Sequence, residues 1–296
     1  MKFSIILPTY NRAELFLKRA IDSVVRQSYK DWELIIVDNN STDNTKDLVG
    51  SYSDNNIRLY SIQNEGNIAK SRNLGISKAK GEFIAFLDSD DFWHRDKLKI
   101  SLDYLKKYKL NGLCHSEYWL YETGETEIRH YGSTGFSYNN LLKNGNNLSL
   151  SAVIVHSDIL KDVKGFSEDI DYITAEDYDL WLKLAKNNYK IKFIKNIMGT
   201  FRIHKYSESS DVDKNIKAIC SVIKNHCKDN DIYKNRINIY IANAYILAGK
   251  IFQLNDLKNK SLRYYIKSIK LNPIRLKPYY MLLSLLFPIK ILKKIK

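Results

Sequence analysis

The chain has 296 residues, 44% of them hydrophobic and 12% aromatic, enough to build a substantial core and to exclude global disorder. Its 47 Lys and Arg against 33 Asp and Glu leave a net charge of +14, which points to an anionic partner. Eleven of the cations and no acid fall within residues 257–296, so the remainder is near neutral; a nucleic-acid enzyme spreads its charge along a groove, and no nucleic-acid partner is expected.

Strand and helix patterns alternate from the start. Residues 3–7 are an apolar run ended by Pro8, reached with no signal-peptide cleavage region before it. Leu17, Ala20, Ile21 and Val24 recur at helical spacing. Residues 32–37 predict a second buried strand, and Asn40-Ser41-Thr42-Asp43 offers caps for a following helix. Residues 57–62 predict a third strand. Residues 67–80 predict a helix stopped by Gly81, a residue suited to a left-handed turn. Residues 83–87 are uniformly apolar, as in the middle of a parallel sheet. Strand alternating with helix predicts an α/β, doubly wound domain.

Farther on, residues 112–121 and 150–156 predict strands. Residues 122–149, rich in Gly, Asn, Ser and Tyr, predict loops suited to an acceptor cleft. A helix follows over 176–187, then strands over 190–194 and 198–203. From about Ser210 the pattern turns helical. Cys220 and Cys227 with His226 fit no common zinc spacing and, like Cys114, read as buried residues of a reduced protein. Residues 240–252 and 257–271, closed by Asn272-Pro273, resemble one helical hairpin of the tetratricopeptide kind. One such unit cannot bury its own face, so a packed helical extension is expected. The predicted division is a catalytic domain over 1–210 and a helical extension over 211–296. Its end, apolar over 281–287 and then carrying Lys290, Lys293, Lys294 and Lys296 among Ile and Leu, suits an anionic membrane surface. No run reaches the ~20 apolar residues of a spanning helix, so the expected location is cytoplasmic, peripheral on the inner face of the cytoplasmic membrane.

The chemistry concentrates at strand ends, where open α/β sheets bind ligands. The first strand ends in Pro8-Thr9-Tyr10-Asn11-Arg12, the second in Asp38 and the fourth in Asp88-Ser89-Asp90-Asp91. No Gly-rich phosphate loop follows the first strand. A diphosphate bound here needs a divalent cation on carboxylates, with Arg12 or Arg72 assisting. Alone, Asp88-Ser89-Asp90 reads as a turn or helix cap. Here it ends an apolar strand and follows Lys70-Ser71-Arg72-Asn73-Leu74-Gly75 by thirteen residues.

The segments PTYNR, VDNNSTDNT, NEGNIAKSRNLGISKAKGEFIAFLDSDD and AEDYDLWLKLAK, in that order, resemble the motifs of glycosyltransferase family 2, an inverting family with the GT-A fold. The likeness spans residues 3–210 and implies a Rossmann-like mixed sheet flanked by helices, with Mn2+ or Mg2+ as cofactor. It implies that Pro8, Thr9, Tyr10, Arg12 and Asp38 hold base and ribose, and that Arg72 lies beside the nucleotide. Asp88 and Asp90 would form the acid-x-acid motif, with Asp90 the direct metal ligand. In Glu176-Asp177 the second acid would be the general base and the first would belong to the acceptor site, walled by Trp181. Phe201-Arg202-Ile203-His204, followed by Ser207, matches a pattern in which His204 completes the metal site and Arg202 approaches the diphosphate. Asn39-Asn40 departs from the Asp-Gly common in the family, which bears on the base-binding loop and leaves the metal site untouched.

A sugar hydroxyl is a poor nucleophile near neutral pH, so a carboxylate must accept its proton as it attacks. Charge developing on the leaving diphosphate falls to metal and cationic side chains. The implied donor is a UDP-sugar carrying a hexose, glucose first. The implied acceptor is a membrane-associated glycan such as a lipid-linked oligosaccharide; the alternative is a lipooligosaccharide or capsule acceptor with another nucleotide-sugar. A sugar nucleotidyltransferase would show a Gly-rich loop where PTYNRAEL stands. A purely interacting protein would leave the acidic strand tips without purpose.

Overall fold

The computed structural model describes residues 2–204, 207 and 210–286. The chain forms two compact units: Met1–Ser137, Asn147–Ile170 and Lys183–Ser207 in one, and Tyr138–Asn146, Asp171–Leu182 and the C-terminal segment in the other. The compact units therefore do not follow the linear division at 210/211, because two short segments of the earlier sequence cluster with the C-terminal helices.

In the first unit β1 (Phe3–Thr9), β2 (Trp32–Asp38), β3 (Ile57–Ser61) and β4 (Phe83–Phe86) lie parallel in the order β3-β2-β1-β4. β1, β2 and β4 are buried at every position, which is why their sequences are continuous apolar runs rather than alternating ones. The sheet continues through later strands: β5 (Phe92–Trp93), β6 (Gly112–Tyr121), β7 (Thr126–Arg129), β8 (Val153–His156) and β9 (Ile191–Ile203). Beyond β4 the order is β8-β6-β9-β5, with β7 on β6; only the β6–β9 pair is parallel there. The sheet is mixed, and α1 (Lys18–Val25), α2 (Thr45–Gly50), α3 (Ile68–Lys78) and α4 (Lys97–Tyr108) connect its strands. Leu17, Ala20, Ile21 and Val24 join the core under β1 and β2, as their spacing predicts.

Several boundaries differ from expectation, each for a local reason. Pro8 lies inside β1 rather than ending it. The β1–β4 ladder covers only Phe3–Ile6, so the missing N–H of Pro8 falls beyond it, while pairing with β2 runs on to Thr9. Gly81 is needed for close approach and not for a left-handed turn: a Cβ there would lie 2.5 Å from the Ser4 nitrogen. The two strands expected over 190–203 are one, β9, whose register against β6 shifts around Ser116. Residues 122–149 are not all loop; they hold β7 and a helix of the second unit.

That helix is α5 (Tyr138–Asn144), and α6 (Ser157–Asp162) follows β8 in the first unit. The second unit adds the start of α7 (Glu176–Lys186), then α8 (Val212–Cys227), α9 (Asp231–Lys234), α10 (Ile237–Leu254), α11 (Lys258–Leu271) and α12 (Lys277–Ser284). α10 and α11 form the expected hairpin, and small residues bring them close. A Cβ on Gly249 would meet the Tyr265 ring at 2.4 Å, and Ser261 and Ser268 donate to the Gly249 and Ala242 carbonyls at 2.8 and 2.9 Å. Cys114, Cys220 and Cys227 are buried free thiols. His226 pairs with Asp179 at 2.9 Å, a structural contact within the helical unit. Among the described residues no helix is long and apolar enough to cross a membrane. The basic segment from residue 287 onward lies outside the described residues.

Candidate functional site

The carboxyl ends of β1, β2 and β4 carry the predicted donor residues. Pro8 and Thr9 are buried, and the Thr9 hydroxyl has no hydrogen-bond partner, while Tyr10 is 53% exposed. Asn11 takes a left-handed conformation, φ 50°, and ties the loop to the next: its amide donates to Ser41 Oγ, and its Oδ1 accepts from Thr42. Asp38 is fully buried, and both its oxygens accept from the Ser41 amide at 3.1 and 3.2 Å, so its carboxylate organises its own loop. Arg12 begins a π turn over Ala13–Leu17, where both Phe16 and Leu17 amides bond the Arg12 carbonyl. Such turns recur at functional sites. This one carries Phe16, whose ring stacks on His204 at 4.7 Å.

The acid loop after β4 splits its charges among different partners. Arg72, 4% exposed, donates to Asp88 Oδ1 at 2.8 Å. Asp90 Oδ2 lies 2.8 Å from His204 Nε2, joining the end of β9 to the loop. Asp91, which motif reading passed over, is 1% exposed and accepts the Arg202 amide on Oδ1 at 2.9 Å. Burial holds the Asp91 carboxyl well above the usual range, with Asp90, Glu117 and Asp88 adding to the effect. The only sequence signal for it was alternation: Ser89 and Asp91 turn inward while Asp88 and Asp90 do not. Behind the loop Lys97 and Glu117 are fully buried. Lys97 Nζ donates to the Ser151 carbonyl at 3.1 Å, and the Ser151 hydroxyl accepts from the Asp88 amide. Burial lowers Lys97 to about 8, opposed by Glu117, Cys114 and Asp91. These residues were not legible as site residues, since buried charge pairs have no local pattern.

The Asp90–His204 pair tests whether a divalent cation fits. Neighbouring ligands on an octahedral ion with bonds of 2.0–2.1 Å stand about 2.9 Å apart. The carboxylate oxygen and imidazole nitrogen lie 2.8 Å apart, a hydrogen-bond distance that is also close to one such edge; the carboxylate suits Mn2+ and Mg2+, and the nitrogen favours the softer Mn2+ of the two. Among the described residues no cluster of three or more His, Cys, Asp or Glu forms a complete shell. A cation bound here would take one edge from these two residues, and its remaining positions would fall to phosphate oxygens and water.

In the second unit Asp177 accepts from the Asn146 amide at 2.8 Å and from the Tyr178 N–H at 2.6 Å. Glu176, 7% exposed, accepts the Thr174 N–H at 2.9 Å and so locks the entry to α7. Thr174 sits at φ 83°, a strained conformation for a β-branched residue, and Asn215 of α8 holds its carbonyl at 2.7 Å. Trp181 is fully buried. Helical periodicity turns it inward.

Residues 4–155 match the family model described as glycosyl transferase family 2. The chain is 32% identical over 258 residues to an Escherichia coli protein, covering 86% of this chain and 96% of that one. Its name is UDP-Glc:alpha-D-GlcNAc-diphosphoundecaprenol beta-1,3-glucosyltransferase WfgD. Among solved structures, Staphylococcus aureus TarS 1–349 with UDP-GlcNAc is similar, with TM-score 0.67 and 20% identity over 96% of this chain and 84% of that one. A Pyrobaculum calidifontis mannosyltransferase, PcManGT, solved with GDP-Man and Mn2+, gives TM-score 0.62 and 16% identity over 92% and 87% of the two chains.

Proposed function

Because the chain belongs to glycosyltransferase family 2, we propose that it transfers glucose from UDP-glucose to a hydroxyl of a sugar carried on a lipid diphosphate, inverting the anomeric centre. The observation that carries this reading is the similarity along 86% of the chain to an enzyme named for that donor and that acceptor. The GT-A type mixed sheet is consistent with it.

In this reading Pro8, Thr9, Tyr10, Arg12 and Asp38 hold the base and ribose, and Arg72 lies beside the nucleotide. Glu176 fixes the segment that carries Asp177. The acceptor oxygen attacks the anomeric carbon as its proton passes to Asp177, and the bond to the β-phosphate oxygen breaks with its electron pair leaving on the diphosphate. No covalent enzyme intermediate is formed. Asp90 and His204 would hold Mn2+ or Mg2+, which when bound neutralises charge on the diphosphate. Arg202 answers the remaining charge from its place on β9.

A lipid-borne acceptor would bring the reaction to a membrane, and we assign it to the inner face of the cytoplasmic membrane. Supporting this, α11 and α12 carry Lys258, Lys260, Arg263, Lys267, Lys270 and Lys277 and no acid. Exposed Leu262, Ile266, Tyr280 and Leu283 lie among them. The test is a donor panel with Mn2+ or Mg2+, scored by nucleoside diphosphate release with and without a GlcNAc-diphospholipid. The expected outcome is acceptor-dependent release from UDP-glucose above the other donors. Release that no diphospholipid acceptor stimulates, whatever the donor, would overturn the reading.

A further inference from the structure

Two guanidinium groups beside the acid loop share one aromatic ring. Arg19 of α1 lies 3.6 Å from the Phe92 centroid, and Arg202 of β9 lies 5.2 Å from it. Arg202 also stands 5.1 Å from Phe16, the ring that stacks on His204 and lies 5.6 Å from Arg12. Arg19 is exposed to solvent; among the described residues neither guanidinium forms a close ion pair, and the buried Nε of Arg202 has no hydrogen-bond partner. An aromatic face fixes a guanidinium in place, yet it neutralises neither charge. An oxyanion that reached both guanidinium groups would meet two charges, and the guanidinium fork matches phosphate oxygens in geometry.

We propose that Arg19 and Arg202, held on Phe92, form a diphosphate seat next to the Asp90–His204 pair, with Arg19 as its second cation. The seat stands on this geometry alone. Only the identity of the diphosphate's carrier rests on the proposed function, under which it is either the leaving nucleotide or the lipid of the acceptor.

The experiment is calorimetric titration of the full chain with inorganic pyrophosphate and with UDP, for wild type, Arg19→Gln, Arg19→Lys and Lys18→Gln. Lys18 is exposed and paired with Asp22, so its replacement removes the same charge away from the seat. Arg19→Gln should weaken pyrophosphate binding roughly tenfold, the loss of one charge-assisted bond, with an unchanged melting temperature. Arg19→Lys should recover part of it, and Lys18→Gln should change it by less than about twofold. A parallel loss of UDP affinity assigns the seat to the donor. Unchanged UDP affinity, with a raised KM only for a diphosphate-bearing acceptor, assigns it to the acceptor. Pyrophosphate affinity that survives Arg19→Gln, or that falls equally with Lys18→Gln, overturns the seat. A wild-type chain that binds pyrophosphate but transfers no sugar would overturn the proposed function and leave the seat standing.

Discussion

Asp177 is held on both oxygens, one by the first turn of its own helix and one by Asn146. That restraint aims the carboxylate, which suits a group that receives a proton. Asp177→Asn should lower kcat by about 10²–10⁴-fold while UDP affinity in calorimetry stays within about twofold; a variant that keeps most of its turnover would end the assignment. Asp90 makes the opposite prediction, because the proposed function puts its contact with His204 on the donor side. Asp90→Ala should weaken nucleotide-sugar binding and resist rescue by added Mn2+, and chelation of the wild type should reproduce the defect. Full activity in excess chelator would remove Asp90 from the metal site. Asp88 differs from both, since Arg72 already answers its charge.

α4 delivers Lys97 into the core behind the acid loop, where Glu117 and Asp91 are also buried. Replacing Lys97 with Met leaves Glu117 without its cation and should cost about 3 kcal/mol in chemical denaturation. Adding Glu117→Gln should restore at least half of that; a double variant no more stable than Lys97→Met would show the two charges uncoupled. The pH dependence has a definite sign. Folding lowers Lys97 to about 8 from 10.5, so between those values the unfolded chain binds the extra proton, and stability gained from this group rises with pH. The difference in stability between wild type and Lys97→Met should therefore shift in favour of wild type from pH 8 to pH 10. None of this was legible in the sequence, where Lys97 is one lysine among many. The parallel strands were legible because burial on both faces writes continuous apolar runs, and the donor loops because they follow those runs. β7 and α5 were not, since their polar sequences carry no period strong enough to separate them from loop. In the sequence β9 reads as two strands because Lys195 and Asn196 interrupt its apolar pattern beside the register shift. At the candidate site, the family likeness points to Asp88, Asp90, Arg202 and His204, while Phe16 and Asp91 emerge only when distant segments are brought together.

Across the whole chain charge is as unevenly placed as chemistry, with no acid after residue 256. Lys290, Lys293, Lys294 and Lys296 would add about 4 kcal/mol of attraction to an anionic bilayer at ~1 kcal/mol each, falling as salt rises. Deleting residues 288–296 should release the protein from anionic vesicles in co-sedimentation without lowering its melting temperature, while slow nucleotide-sugar hydrolysis persists. Equal sedimentation of full-length and truncated chains would show that this segment is not the anchor. The basic helices α11 and α12 carry a kinetic corollary. If they gather the enzyme onto the surface that holds its acceptor, the two meet by lateral diffusion in a thin layer, where effective concentration far exceeds that in bulk solution. Turnover would then follow acceptor per unit area rather than per unit volume, and lipid composition would act as a rate constant.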